Sequence, residues 1–444
     1  MPRNSPRAKY IAALQELLAL CLRRRAERKM SRVADPYQDI LDKALFREVA
    51  LLKSGRYMLR KKIYRGMAFN VFALDAPEHS LTFQNDNRIP HLGESEFRRK
   101  YCMDRDQFES LMGLIIDHPV FNQSSTTRGR PQVPARNQVL TLLHFLGQES
   151  CTAALSRGTH FIGYGTHYLY CDRVVEAICS LRDKVVFWPD KDERATISQR
   201  MGEKYDFPYC VGVGDGTLLP LARRPQTDSA PCYSGRKLGH SITMFIINDD
   251  KLHIRSYLAG WPGSVHDNRV FGKMAVNRFP EQHFSPNEYI LADSAVENCS
   301  FVVSAFKKPP LQPMPALEEK FNARLASARV VAEHTIGVLK GRFPWLRKIH
   351  FNVTDDPESM MRILKYIDCC VILHNLMLPK NGETEGALEW LDDEDGNISD
   401  VDDSTRVPRG ADMLDRPLPR GCRKDERRRR LQTYLEYKEY CISD

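Results

Sequence analysis

The sequence predicts an α/β protein in which a helical region precedes a layered domain of strands and long helices. Three observations carry the prediction. Up to about residue 205, apolar residues recur mainly at helical spacing. From Pro208, short β-branched and aromatic runs bounded by Gly, Asn, Asp or Pro read as strands. Two long helical patterns follow, about Glu319 to Arg342 and about Pro357 to Met377. Strands followed by long helices pack as layers around one core.

Residues 1–95 form a basic arm. Met1 to Met67 holds 17 Lys/Arg against 6 Asp/Glu, with the clusters Arg23-Arg24-Arg25 and Arg60-Lys61-Lys62. Leu14, Leu17 and Leu18, then Leu41, Leu45, Val49 and Leu52, fall at helical spacing. Basic helices of this kind fit a DNA-contacting arm, a nuclear-import signal or a solvated charged surface. Residues 96–205 read as helical. Asp104 is placed to cap a helix carrying Phe108, Leu111 and Ile115, and further helices are expected at about Arg136 to Gln148 and Thr166 to Lys184. Both a plain bundle and a helix-turn-helix fit this order.

Residues 206–378 make the layered domain. Its expected strands are Tyr209–Val213, Ser241–Ile247, Leu252–Ala259 and Tyr289–Leu291. Pro344 halts the first long helix, and Asp355 or Asp356 caps the second, with Pro357 in its first turn. Residues 379–444 form the tail. Asn381 to Cys422 is polar, acidic and Pro-rich and is expected to be mostly disordered, and Arg427 to Arg430 falls in a basic terminal helix.

Composition narrows the class. The 444 residues are 42% hydrophobic and 27% charged, which fits two or three soluble domains and excludes collagen-like or wholly disordered chains. No apolar run reaches the ~18 residues of a membrane span, and Tyr10 to Leu22 lacks the cleavage site of a signal peptide. The twelve cysteines form no CxxC pair. This argues against structural zinc and a disulfide framework, and for a reducing compartment, nucleus or cytosol. Glu383 to Asp403 holds ten acidic residues and no basic one. The rest of the chain carries 65 basic against 47 acidic residues, a net +18. A body this basic points to a polyanionic partner, with nucleic acid first, or to an ordinary basic surface.

Four carboxylates stand out. In Cys210-Val-Gly-Val-Gly-Asp215-Gly-Thr217, an Asp follows an apolar run with small neighbours on both sides. Phosphodiester chemistry needs carboxylate oxygens converging on Mg²⁺, and glycines leave room for an ion and a strand. An Asp-Gly turn is the plainer alternative. Tyr289-Ile-Leu-Ala-Asp293-Ser294 repeats the pattern. Loop polarity accounts for either Asp alone, and the two together suggest a shared ion site. In Ala328-Arg329-Val-Val-Ala-Glu333 and on to Lys340, ~100° per residue puts Arg329 and Lys340 about 40° and 20° from Glu333, on one helix face. A carboxylate between two cations suits metal and phosphate, and two helical ion pairs suit it as well. Ser264 and Asp267 in Pro262-Gly-Ser-Val-His-Asp267 read as a capping-box-like helix start or as a further metal carboxylate.

Six segments in this order resemble the PIF/Harbinger group of nucleases and transposases, including their domesticated relatives. They are Asp215-Gly-Thr217; Tyr233-Ser-Gly-Arg236-Lys237 with Ser241; Pro262-Gly-Ser264-Val-His266-Asp267; Leu291-Ala-Asp293-Ser294; Ala328-Arg329 through Glu333 to Lys340-Gly-Arg342-Phe343; and Cys369-Cys370 with His374-Asn375. The resemblance implies an RNase H-like mixed-sheet core with a DDE triad of Asp215, Asp293 and Glu333, spaced by 78 and 40 residues. It implies a divalent cation, Mg²⁺ or Mn²⁺, held by these residues, with Asp267 as a rival of Asp293. Asp293 is preferred because, in an RNase H-like sheet, the strand after the crossover helix lies beside the first. Arg329, Lys340, Arg236 and Lys237 are the expected DNA-phosphate contacts.

The expected activity is metal-dependent DNA cleavage, with strand transfer if the protein is a transposase. The alternatives are a catalytically silent DNA-binding regulator and a phosphohydrolase of small molecules. By the same resemblance, a Myb-like partner protein, assembly into oligomers and a nuclear location are expected. The pattern departs from the group in places. Leu218 stands where His is common, Ala292 and Val296 replace a Gly and a Tyr of the third motif, and Ala326 stands where a Tyr precedes the Arg-Glu-Lys face. His334 follows Glu333 where Arg or Lys is commoner.

Overall fold

The computed structural model describes residues 93–121, 132–148, 162–226, 231–234, 239–308, 313–379, 385–391 and 425–443. The basic arm, Arg236, Lys237 and most of the acidic tail lie outside the described residues. The chain divides into two units. The described residues of the smaller are 162–169, at the start of one helix; the rest belong to the larger.

The larger unit opens with helices α1 (Glu94–Tyr101), α2 (Arg105–Ile115) and α3 (Ala135–Leu146). Asp104 starts α2 as its sequence predicts, its backbone N–H bonded to Gln107 Oε1 at 3.1 Å. The buried face of α2 is Phe108, Leu111, Met112 and Ile115. In α3 every residue from Asn137 to Leu146 is buried. That helix packs on all sides and presents no face that could enter a DNA groove. Helices α4 (Tyr164–Cys179), α5 (Arg182–Val185) and α6 (Lys191–Tyr205) follow, the last capped by Asp190 accepting from Glu193 N at 2.9 Å.

The sheet comprises β1 (Cys210–Pro220), the short β2 (Tyr233–Ser234), β3 (Gly239–Asn248), β4 (Ile254–Pro262), β5 (Tyr289–Ala292) and β6 (Val302–Ser304). Strand β1 runs antiparallel to β3 and parallel to β5. Strand β4 pairs antiparallel with β3, and β6 parallel with β5. The main order is therefore β4-β3-β1-β5-β6, and β2 pairs with the first residues of β3. Three antiparallel strands joined to two parallel ones form the RNase H-like mixed sheet that the motifs imply. The crossover from β4 to β5 carries short helices α7 (Asp267–Phe271), α8 (Ala275–Arg278) and α9 (Pro280–His283).

Two cores cover the two faces. On one side Val213, Leu291 and Val303 meet Ile197 and Met201 of α6 and Phe321, Leu325, Ala328 and Ala332 of helix α10 (Ala316–Arg342). On the other, Phe245, Ile247, Ile290 and Val302 meet Val270, Phe271, Met274 and Val276. Each fully buried large apolar side chain contributes about 1.5–3 kcal/mol. Helix α11 (Pro357–Leu376) is capped by Asp356, which accepts from Glu358 N at 3.0 Å. Near its end, Asn375 Oδ1 accepts from Ile254 N, and its Nδ2 donates to the carbonyls of Ile254 and Val185. The His-Asn pair of the sixth motif thus ties α11 to the β3–β4 turn.

Three expectations need correction. Strand β1 extends to Pro220, so Asp215 lies in its interior; regular pairing with β3 from Val213 to Pro220 carries the strand past the glycines. Ser264 does not start α7. His266 is the N-cap residue, because the backbone N–H groups of Ser264 and Val265 are spent on Pro231 and Pro262. Residues 385–391, expected to be disordered, form helix α12 (Glu385–Leu388) and a turn. Ala387, Leu388, Trp390 and Leu391 pack with Val331 and Val338 of α10, and the Arg98 and Arg342 guanidinium groups lie over the Trp390 ring at 5.4 and 5.5 Å. The basic terminal helix forms as expected, as α13 (Glu426–Ser443), and packs against the α10 core. Its Leu431, Tyr434 and Leu435 enter the α10 core, and Arg427 and Arg428 donate to backbone carbonyls before β5 and after β6.

Candidate active site

Alternation along β1 turns Val213, Asp215 and Thr217 toward α10 and Gly212, Gly214 and Gly216 toward the opposite face. Asp215 is 18% exposed, and Asp293, in the residue just after β5, is 43% exposed. Because β5 lies parallel beside β1, with Gly214 paired to Ala292, the next residue of each strand is an Asp. Arg329 of α10 spans the two: one terminal nitrogen lies 3.4 Å from Asp215 Oδ1 and the other 3.4 Å from Asp293 Oδ1. Ser294 N donates to Asp293 Oδ1 at 2.6 Å.

Glu333 follows one turn after Arg329 and is exposed. Its charge and that of Asp293 both act on Asp215. Burial pushes the Asp215 carboxyl up to about 6, the Arg329 charge and the Gly216 N–H oppose this, and the two neighbouring carboxylates add to the rise. Farther along the same helix face, Lys340 Nζ donates to Thr217 Oγ1 at 2.6 Å and to the Leu218 carbonyl at 3.0 Å. The shared face of Arg329, Glu333 and Lys340 therefore looks onto β1. Arg329 and Lys340, expected at phosphates, are engaged with groups of the protein itself. His334, next to Glu333, is half-buried, with its pKa lowered by burial and by Lys204.

Asp267 sits elsewhere. A Cβ built on Gly216 would lie 2.2 Å from Asp267 Oδ1, so the Asp267 carboxylate rests against β1 on the face away from Asp215. Of the two rivals, Asp293 is the one beside Asp215. Arg236 and Lys237 fall outside the described residues.

The donor set fits a hard divalent cation by its chemistry: carboxylate oxygens, one of them buried at a cost that a cation would relieve. Among the described residues, no group of three His, Cys, Asp or Glu side chains is drawn together closely enough to hold a metal ion as placed. Sequence reasoning missed two features. Thr217 lies in the first motif without an assigned role, and only the register of β1 against α10 shows that it receives Lys340. The position of Arg329 between two aspartates needed the spacing of β1 and β5.

Residues 214–375 match the family described as DDE superfamily endonuclease. These residues are thus similar to a DDE superfamily endonuclease domain, and the relatives agree with the Harbinger resemblance read from the motifs. Among its relatives, "Putative nuclease HARBI1" of Mus musculus is 25% identical over 209 residues, covering 46% of this chain and 56% of that protein. The Homo sapiens protein of the same name gives the same identity and coverage. "Protein ALP1-like" of Arabidopsis thaliana is 23% identical over 210 residues, covering 44% of this chain and 49% of that protein. The chain spans about half the length of the curated relatives it matches. No solved structure matches the chain.

Proposed function

We propose that this protein is a divalent-metal-dependent DNA endonuclease of the DDE type, with Asp215, Asp293 and Glu333 as its metal-holding carboxylates. The observation that carries the reading is the juxtaposition of Asp215 and Asp293 on adjacent parallel strands, with Glu333 close enough to raise the Asp215 pKa. Mg²⁺ or Mn²⁺ held there would supply Lewis-acid chemistry, activating a water and stabilising the leaving 3′-oxygen. Asp215 contributes a carboxylate fixed by a paired strand interior. Asp293 contributes one held by Ser294 N and open to solvent. Glu333 makes no hydrogen bond or ion pair among the described residues and is free to close on the pair. Lys340 fixes the α10 face that carries Glu333 against β1. Strand transfer would use the same site, with the freed 3′-OH as nucleophile.

DNA is the proposed substrate, supported by the net +18 of the chain outside its acidic segment. A Myb-like partner protein, an oligomeric state and a nuclear location complete the reading by likeness to the Harbinger group. Among the described residues no helix is long and apolar enough to cross a membrane. A second reading, a catalytically silent DNA-binding protein, draws support from one observation: the aspartate pair is closed on Arg329, with no three-ligand set among the described residues.

The test is nicking of supercoiled DNA with Mg²⁺ or Mn²⁺ by the wild type and by Asp215→Asn. Metal-dependent nicking that falls at least ~100-fold in the variant is expected. DNA binding without nicking by the wild type would favour the silent reading.

A further inference from the structure

Arg329 touches the aspartates in an uncommitted way. Its two contacts, both 3.4 Å, are longer than the ~2.7–2.9 Å of an optimised charge-assisted bond. Its Nε is buried and has no partner, so the guanidinium is fixed by the two carboxylates alone. Lys340, the other cation of the face, is pinned by contacts of 2.6 and 3.0 Å to Thr217 and the Leu218 carbonyl. Arg329 is only 14% exposed, so it is seated within the site. The oxygens it spans are those a divalent ion would need.

We propose that Arg329 is a resident counter-ion of the aspartate pair, which a divalent cation must displace, and that the displaced guanidinium then binds a phosphate of the DNA. The inference rests on the reading of Asp215 and Asp293 as metal ligands. A dication drawn to this aspartate pair would stand beside the guanidinium, and their charges repel. Displacement releases a planar group suited to bidentate phosphate contact. It starts on the helix face that carries Glu333 and Lys340. Divalent-ion binding and DNA binding then strengthen each other, and by linkage they do so equally. If Arg329 fills the pair nine-tenths of the time, the apparent affinity for the ion is about tenfold below that of the open site.

The test uses the full chain and needs no cleavage. Mn²⁺ binding is titrated by electron paramagnetic resonance for the wild type, Arg329→Gln, Arg329→Lys, Asp215→Asn and a charge control, Arg324→Gln. Arg324 lies on the same helix but pairs with Asp206 at 3.1 Å. Arg329→Gln is expected to bind Mn²⁺ about tenfold more tightly than the wild type, and Arg324→Gln to bind like the wild type. Arg329→Lys, which keeps the charge on a shorter reach, should fall between and covers the case in which the glutamine variant misfolds. The anisotropy of a labelled duplex should show Mn²⁺ raising DNA affinity in the wild type and not in Arg329→Gln. Unchanged or weaker Mn²⁺ binding by both Arg329 variants overturns the inference and leaves the metal site standing. Mn²⁺ binding that Asp215→Asn does not weaken, or that no variant shows, overturns both.

Discussion

His374 gives the fold a built-in sensitivity to acid. Its ring is fully buried at the end of α11, and Nε2 lies 2.9 Å from the Leu252 carbonyl, so Nε2 carries the proton of a neutral ring. Leu252 itself sits at φ 66 in the β3–β4 turn, a left-handed conformation that costs a leucine about 1–2 kcal/mol. Burial, reinforced by the Arg342 charge, pushes the His374 pKa down from 6.5 to about 3. The folded state therefore refuses a proton that the unfolded chain accepts. Its stability is fully present above pH 6.5 and is lost as the pH falls, until about pH 3. Between pH 7 and pH 5 the loss works out at about 2 kcal/mol from this one side chain. The perturbation is His374→Gln, which keeps an N–H for the carbonyl and cannot ionise. Urea denaturation followed by tryptophan fluorescence, at pH 7 and at pH 5, gives two stabilities for each protein. The wild type should lose about 2 kcal/mol more than the variant between the two pH values. Equal losses would refute the reasoning, whatever the variant's absolute stability.

Three further outcomes follow from the packing. Leu431→Ala empties a fully buried position of α13 against α10 and should destabilise the domain by about 2–5 kcal/mol in the same assay, although the residue lies beyond the matched family region. Lys340→Met removes a charged donor from Thr217 and the Leu218 carbonyl, and a loss of about 1.5–3 kcal/mol is expected by thermal denaturation. Gly216→Ala drives a methyl into the Asp267 carboxylate and should cost about 1–3 kcal/mol, whereas Gly113→Ala, where a Cβ meets nothing within 4 Å, should not destabilise the fold.

Much of this architecture was legible in the sequence, for identifiable reasons. The strand signals were strong because β3 and β5 are buried on both faces and so read as unbroken apolar runs. Helix α11 was legible from its Asp-Pro start. The extent of β1 was not, because Gly-Asp-Gly reads as a turn, and only pairing with β3 on one side and β5 on the other keeps it extended. Residues 385–391 were misread because their acidic neighbours outweigh four apolar side chains that have a groove on α10 to fill. The basic cluster at Arg427 to Arg430 marked a terminal helix, but not that Arg427 and Arg428 donate to carbonyls at the ends of the sheet, since those acceptors lie more than a hundred residues away. At the site, spacing along α10 placed Arg329, Glu333 and Lys340 on one face correctly. It could not say which of them would be drawn inward, since that depends on strands more than thirty residues away.

The contact between Asp267 and Gly216 turns a question of chemistry into one of parity. An extended chain shows odd and even residues to opposite sides, so the thickness of β1 stands between Asp215 and Asp267. Sliding β1 by a single residue against its neighbours would turn Asp215 away from Arg329 and Asp293, onto the face where Asp267 lies. The eight-residue ladder to β3 forbids that slip. The pairing register therefore decides that Asp215 shares a face with Asp293 and Arg329 and not with Asp267.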